Sequence, residues 1–517
     1  MRRRLVAGLG ILALLVGATM GLRADSRRSA TEGRHRQIFG FDAAPATASK
    51  PTAPTATRTP KTRTVSCLAG RGVVTVGTAD RVLPSCKVVS RQLARDSGLG
   101  RGAQHETQVE PASAGWGSTI VSVFQNGRFA DDGAATIGFA TSHDGGRNWR
   151  SGVLPRLSMF QKPVGAHERV TDPVVTYDAA HRTWLAGSLG FRLERVDLLV
   201  SRSRDGLRWS PPVTAAASPV GSYDKEWLAC DNWRGSPKKG RCYLTYVDFD
   251  ASSVQVRRSN DGGRTWSAPA VRRPVLPQLT INGVQPVVLP DGTLVIAFSV
   301  FDRFGNPNHL AAVRSLDGGI SLGPPARVAD LEVNDVQQVR SAPLPSAAVD
   351  AGGTIWMAWS DCRFDAECDS NGVVVSRSRD GISWTEPTPV PVGRPSSLVD
   401  HFLPALAVSG GGARPARLAI VYYSLPQAFG CGYACIGAVE TWLSVSRGGR
   451  FDWTKPQRLT ERPMRFSWIA NSGVGRMLGD YIAISWSGGR PVPVFALASR
   501  PVHGSLRQAI FATTRLP

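Results

Sequence analysis

An all-β fold assembled from repeated four-stranded units is what this 517-residue sequence predicts. Three observations predict it. The first is a turn, Ser142-His143-Asp144-Gly145-Gly146-Arg147-Asn148-Trp149, which returns five more times with wear. The second is its spacing: Asp144, Asp205, Asp261, Asp317 and Asp380 recur about every 60 residues, as in repeat architectures. The third is the apolar run before most copies, such as Thr136-Ile137-Gly138-Phe139-Ala140-Thr141 and Gly372-Val373-Val374-Val375. Gly 54, Pro 36 and Trp 14 suit many short strands joined by turns.

The copies differ in completeness. Ser259-Asn260-Asp261-Gly262-Gly263-Arg264-Thr265-Trp266 is whole. The copies at Ser203–Trp209 and Ser378–Trp384 are one residue shorter. Ser315-Leu316-Asp317-Gly318-Gly319 has Leu322 where Trp would stand, and Ser446-Arg447-Gly448-Gly449 lacks the Asp but keeps Trp453. The chemistry of the motif is that of a hairpin staple. Asp accepts hydrogen bonds from the backbone N–H groups that follow it, and Gly takes the positive-φ positions. Trp pins the turn to its neighbours. These Asp residues therefore read as structural.

The pattern Ser-x-Asp-x-Gly-x-x-Trp resembles the Asp box, or BNR repeat, of the sialidase-like β-propellers of the neuraminidase superfamily. The resemblance covers roughly residues 105–515 and implies a propeller of four-stranded blades. Seven unit beginnings but six boxes are visible. Beginnings lie near Glu106, Asp172, Asp224, Gln285, Pro345 and His401, and a last unit, Gly479 onward, shows three strands. Seven blades are expected, with six as the alternative. A strand from the N-terminal segment would complete the last unit and leave no open edge.

The N-terminal region reads differently. Met1-Arg2-Arg3-Arg4 precedes an apolar stretch from Leu5 to Met20, so residues 1–24 read as a secretory signal or an uncleaved membrane anchor. Residues 25–64, rich in Arg, Ala, Thr and Pro, read as a disordered linker. Residues 65–104 read as a small Cys-containing segment, and 105–517 as the propeller. The expected location is secreted or at the cell surface, as a monomer touching membrane only through that anchor.

Eight Cys in an exported chain read as disulfides. Their local clustering favours Cys67-Cys86, Cys230-Cys242, Cys362-Cys368 and Cys431-Cys435. The spacing does not fit a Cys-based zinc site, and no cofactor is expected. Channel carboxylates leave room for a structural calcium ion, although no contiguous calcium loop is present. The net charge of +21 favours anionic partners. No clustered basic run interleaved with aromatics is found, so nucleic acid is not expected as a partner; a glycan or cell-envelope polymer is.

Ligand sites of propellers lie at the mouth of the central channel, so the starts of the innermost strands are the candidates. A sialidase needs an Arg triad around a carboxylate, and under the resemblance Arg169, Arg340 and Arg476 would fill that role here. Gln285 and His401 complete the binding set. Tyr223 with Glu226, or Tyr481 with Asp480, would be the nucleophile pair; Asp172 or Asp224 would be the acid/base. The Arg-Ile-Pro motif of catalytic sialidases is missing, the nearest segment being Arg340-Ser341-Ala342-Pro343-Leu344. The transfer is therefore by role only. A second enzymatic reading uses two carboxylates, drawn from Asp224, Glu226 and Asp172, on a neutral polysaccharide. The leading expectation is an exported sialidase-like glycoside hydrolase, or a degenerate relative, acting on extracellular glycans. The alternative is a non-catalytic envelope propeller that binds glycan or protein.

Overall fold

The computed structural model describes residues 68–69, 89–96 and 102–515, except 194, 219, 273–278, 393–397, 428–437, 447, 449–451 and 461. The expected signal and linker, and the Cys67-Cys86 and Cys431-Cys435 pairs, lie outside the described residues. Cys230–Cys242 and Cys362–Cys368 are bonded as expected.

The described residues form antiparallel strands almost throughout, with one short 3-10 turn at Phe466–Trp468. The strands group into up-and-down meanders of four. The first runs through Gln108–Trp116, Thr119–Arg128, Ala134–Ser142 and Arg150–Val153; the second through Arg169–Asp178, Thr183–Arg192, Arg195–Ser203 and Val213–Ser218. Four more follow, with first strands Tyr223–Cys230, Thr280–Val288, Ser346–Val349 and Val399–Gly411. The seventh comprises Ala483–Ser487, Arg490–Val502 and Ser505–Arg515, and its fourth strand is Val89–Gln92, paired antiparallel with the C-terminal strand. Each first strand lies against the next in cyclic order, and the seventh returns to the first. The sheets are a β-propeller, closed by the two ends of the folded region.

The cores lie between successive sheets. Leu185, Val200 and Val174 of the second meander pack with Leu228, Leu244 and Tyr246 of the third. Val295 and Ala312 of the fourth pack with Met357 and Trp359 of the fifth. Each such side chain taken from water contributes about 1.5–3 kcal/mol, so the sheet-to-sheet seams dominate the fold's stability.

The repeated turn is the fastener of those seams. In the first copy Ser142 Oγ donates to Asp144 Oδ1 (2.8 Å) and accepts from Gly146 N (2.8 Å), while Asp144 Oδ1 also accepts from Asn148 N (2.9 Å). The copies at Ser203, Ser259, Ser315 and Ser378 repeat the Ser-to-Asp bond. The residue at the Trp position then enters the seam with the preceding sheet: Trp209 between the first and second, Trp266 between the second and third, Leu322 between the third and fourth. Glycine is required at the last turn position for a steric reason as well as a dihedral one. A Cβ on Gly206 would stand 2.8 Å from Val121 of the preceding sheet, on Gly263 2.8 Å from Leu185, and on Gly381 2.8 Å from Val295.

Candidate active site

Proline and a positive-φ residue shape the inner strands. The register of each of five first strands slips near its start: between Val109 and Ala112, Thr171 and Val174, Asp224 and Trp227, Asn282 and Gln285, and Phe402 and Ala405. Each slip is a bulge, and the residue just inside it has φ near +50 to +70: Glu110, Asp172, Lys225, Gly283 and Leu403. In three cases proline follows (Pro111, Pro173, Pro404), removing an N–H from a backbone that has left the ladder. Bulges re-aim side chains. Here they turn Glu110, Asp172 and Lys225 toward one another.

The Lys225 ammonium is the hub. Its Nζ lies 3.3 Å from Glu110 Oε1, 3.4 Å from Asp172 Oδ2 and 3.2 Å from Asp480 Oδ2, and stands over the Tyr481 ring at 4.3 Å. Asp480 is also gripped by Arg340, Nε to Oδ1 at 2.5 Å and Nη2 to Oδ2 at 2.6 Å, a two-pronged pair. Glu110 accepts from Gln125 Nε2 (2.5 Å) and from the backbone N of Asp480 (3.0 Å). Gln125 Nε2 also donates to Thr171 Oγ1, which donates to Asp172 Oδ1 (2.9 Å). Behind them the buried Arg128 donates to Gln125 Oε1.

The environment separates the carboxyls by protonation. Burial pushes Glu110 up to about 7, against the pull of Lys225. Burial, reinforced by the Asp172 charge, pushes Asp224 and Glu226 well above the usual carboxylate range. Asp480 is equally buried, but Arg340 and Lys225 outweigh that and hold it far below the range. The same carboxylates outweigh the cost of burying Lys225 and raise it.

Lys225, Asp480 and Tyr481 line a cavity of about 160 Å³ with Trp227 and Gln285. The indole of Trp227 meets the Tyr481 ring edge-on at 5.0 Å. Leu344, Pro345 and Leu403 give the lining its apolar part.

Of the ten residues expected at the site, the structure gathers seven. Asp172, Asp480, Arg340 and Tyr481 meet around Lys225; Asp224 and Glu226 feel the same charges, and Gln285 lines the cavity. Three side chains go elsewhere. Arg169 reaches the neighbouring hairpin, donating to Asp131 Oδ1 (2.7 Å) and Asp132 O and lying over Phe129. Arg476 donates to Ile469 O (2.7 Å) and lies over Phe466. His401 is buried beside Asn371 O (2.9 Å), where burial lowers its pKa. The expected Arg triad is thus not assembled. Nor is Tyr481 activated. Its hydroxyl donates to Pro173 O (3.0 Å), and burial with Glu110 and Asp172 pushes its pKa up, not down. Tyr223 instead packs on Tyr246. Lys225 and Glu110, two polar strand starts to which the sequence assigns no role, carry the centre. The signal present in the sequence is their place at strand starts, beside the residues expected there.

No family model and no curated sequence matches the chain. Solved structures align with it in part. A polysaccharide lyase, an ulvan lyase of PL25, is 10% identical over 82% of this chain and all of its own (TM-score 0.45). An α-L-arabinanase of Penicillium chrysogenum is 17% identical over 69% and 98% (TM-score 0.43). A Hadza microbial sialidase is 15% identical over 74% and 76% (TM-score 0.41). At these identities no residue's role is carried over.

Proposed function

We propose that this chain is an exported glycan-acting enzyme, a glycoside hydrolase that works with carboxylates at the channel cavity. The observation that carries the proposal is the opposed pair Asp480 and Glu110. One carboxyl is held ionised and the other is held up to about 7, within one hydrogen-bonded network. Groups pushed apart in this way are how one site holds a base and an acid at the same pH. Asp480, which lines the cavity, is the ionised carboxylate that faces the anomeric centre. Glu110 is the protonated reserve behind it, and Lys225 fixes the distance between them. The Trp227 and Tyr481 rings offer apolar faces to a sugar ring, and Gln285 an amide to its hydroxyls.

The site suits a neutral sugar better than a sialoside. Recognition of a sialic acid carboxylate needs uncommitted guanidinium groups, but Arg340 is spent on Asp480, and Arg169 and Arg476 lie elsewhere. The two disulfides suit an oxidising, extracellular setting. Release of reducing ends from a panel of neutral polysaccharides, beside a fluorogenic sialoside, tests the proposal. Turnover of a neutral substrate that Asp480→Asn abolishes, in a protein that still unfolds cooperatively, is expected. Turnover unchanged in that variant would overturn it. Binding without turnover would leave a glycan-binding propeller.

A further inference from the structure

The two ends of the propeller differ in charge. In an antiparallel meander the loops between strands one and two and between three and four leave from the same end, so all the repeated turns share one end with the loops Asp178–Arg182 and Asp231–Arg241. The cavity cluster sits at the other end, near the strand starts. At the cavity end the exposed charges are mixed: Asp131, Asp330, Glu332, Glu367 and Asp369 stand among Lys162, Arg192, Arg195, Arg303 and Arg500. Exposed cations gather at the turn end.

The cations are most concentrated over the first three meanders. Arg147 and Arg264 occupy the same position of their turns, three residues after the Asp, and Arg208 of the shorter turn between them stands just before its Trp, its Nε 3.0 Å from Asp205 Oδ2. Arg204, Arg234 and Lys239 lie in the turns and loop beside them, all exposed. The contacts make one continuous surface of this sector. Gly206 packs on Val121 and Gly262 on the His181 side chain. Gly240 abuts Ala180, and Asn232 bridges the two loops, accepting from Ala179 N and donating to Tyr177 O (both 2.8 Å). Arg241 donates to Gly318 O of the fourth turn (3.0 Å). On the same sector an aromatic row comes to the surface: Trp116, 46% exposed, stacks at 5.2 Å on Tyr177, which stacks at 4.7 Å on Trp184.

We infer that this turn-end surface of the first three meanders is a second binding site, for an anionic polysaccharide. Planar guanidinium groups suit carboxylate and sulfate oxygens, and an exposed indole backed by a stacked tyrosine suits a sugar face. A disulfide-bonded, exported protein meets such polymers in the envelope or matrix rather than nucleic acid. The mixed charges of the cavity end offer the same polymer no comparable attraction. Binding would therefore orient the molecule, basic end on the polymer and cavity outward.

The test is retention of the full chain on immobilised polygalacturonate, with dextran as the neutral control and a single-stranded oligonucleotide as competitor. Retention on polygalacturonate that salt weakens, with none on dextran, is expected. The combined variant Arg147→Gln, Arg204→Gln, Arg264→Gln should bind about tenfold more weakly, the scale of three lost exposed ion pairs. Trp116→Ala should weaken binding independently. All four residues are exposed, so both variants should melt as the parent does. Undiminished retention in both variants overturns the inference. Competition by the oligonucleotide at equal charge concentration, through the same arginines, would replace a polysaccharide site with a nucleic-acid one. The assay reads binding alone, so its result is independent of whether the cavity is catalytic.

Discussion

Lys225 and Asp480, from the third meander and the entry to the seventh, meet in the channel with Nζ 3.2 Å from Oδ2. That contact, with its counterparts to Glu110 and Asp172, ties separate sheets through one ammonium group. Removing one partner of a buried ionic set leaves the others uncompensated, at a cost of about 3–5 kcal/mol. Lys225→Met is therefore expected to lower the melting temperature by several degrees, read by calorimetry. A variant melting within a degree of the parent would show that the channel admits enough water to solvate the three carboxylates.

Glu110 gives a pH signature of stability. Its folded pKa of about 7 lies above the unfolded value of about 4.3, so the folded state binds the proton more tightly between those values. The stability associated with this proton is present below about pH 4 and is lost as pH rises through 7. Glu110→Gln, which cannot ionise, should thus gain stability relative to the parent as pH goes from 4.5 to 7.5. Denaturant midpoints across that range check the sign.

The repeated Asp residues give the opposite sign. Burial of Asp261 is outweighed by bonds from Thr265, Ser259 and Arg264 N, which hold its carboxyl down at about 2. A depressed folded pKa contributes stability above the unfolded value of about 3.9, lost as pH falls toward 2. Asp261→Ala should destabilise by about 1–2 kcal/mol at neutral pH, the scale of hydrogen bonds to a charged group. The gap from the parent should close on acidification, as urea midpoints at pH 7 and pH 2.5 would show.

Glycine at the seam makes a steric prediction. Gly381 has φ +71, and a methyl group added there would stand 2.8 Å from Val295 Cγ2 of the preceding sheet. Gly381→Ala is expected to cost about 1–3 kcal/mol, from strain and overpacking together. Turnover at the distant cavity should not change. Paired melting and activity measurements separate the two effects.

The repeated turn is legible in the sequence because its chemistry is local: Ser142, Asp144 and Gly146 satisfy one another within five residues. The closing strand is legible too, since the last unit visibly lacks one. The site is only half legible. Position at a strand start picks out Asp172 and Asp480, but a bulge between Thr171 and Val174 inverts which side chains face the channel, and linear spacing does not reveal a bulge. Arg169, three residues from Asp172, lies on the opposite face by simple alternation and reaches a neighbouring hairpin while Asp172 faces in. Lys225 stands among the polar strand starts but receives no role from the sequence, because a lysine between two acids reads as a solvated strand start. Only the closed ring brings Glu110 and Asp480, from opposite ends of the propeller sequence, to either side of it.

The most direct measurement of the proposed hydrolase is the pH dependence of kcat/KM for the parent and for Glu110→Gln on a neutral polysaccharide from the panel. The parent profile should descend as pH rises through about 7, where Glu110 gives up its proton. The variant should lose most of its activity and show no descending limb there, while keeping the parent's fold. A Glu110→Gln protein with the parent's profile and rate would contradict the assignment of the channel carboxyls as the acid and base of a glycan-cleaving site.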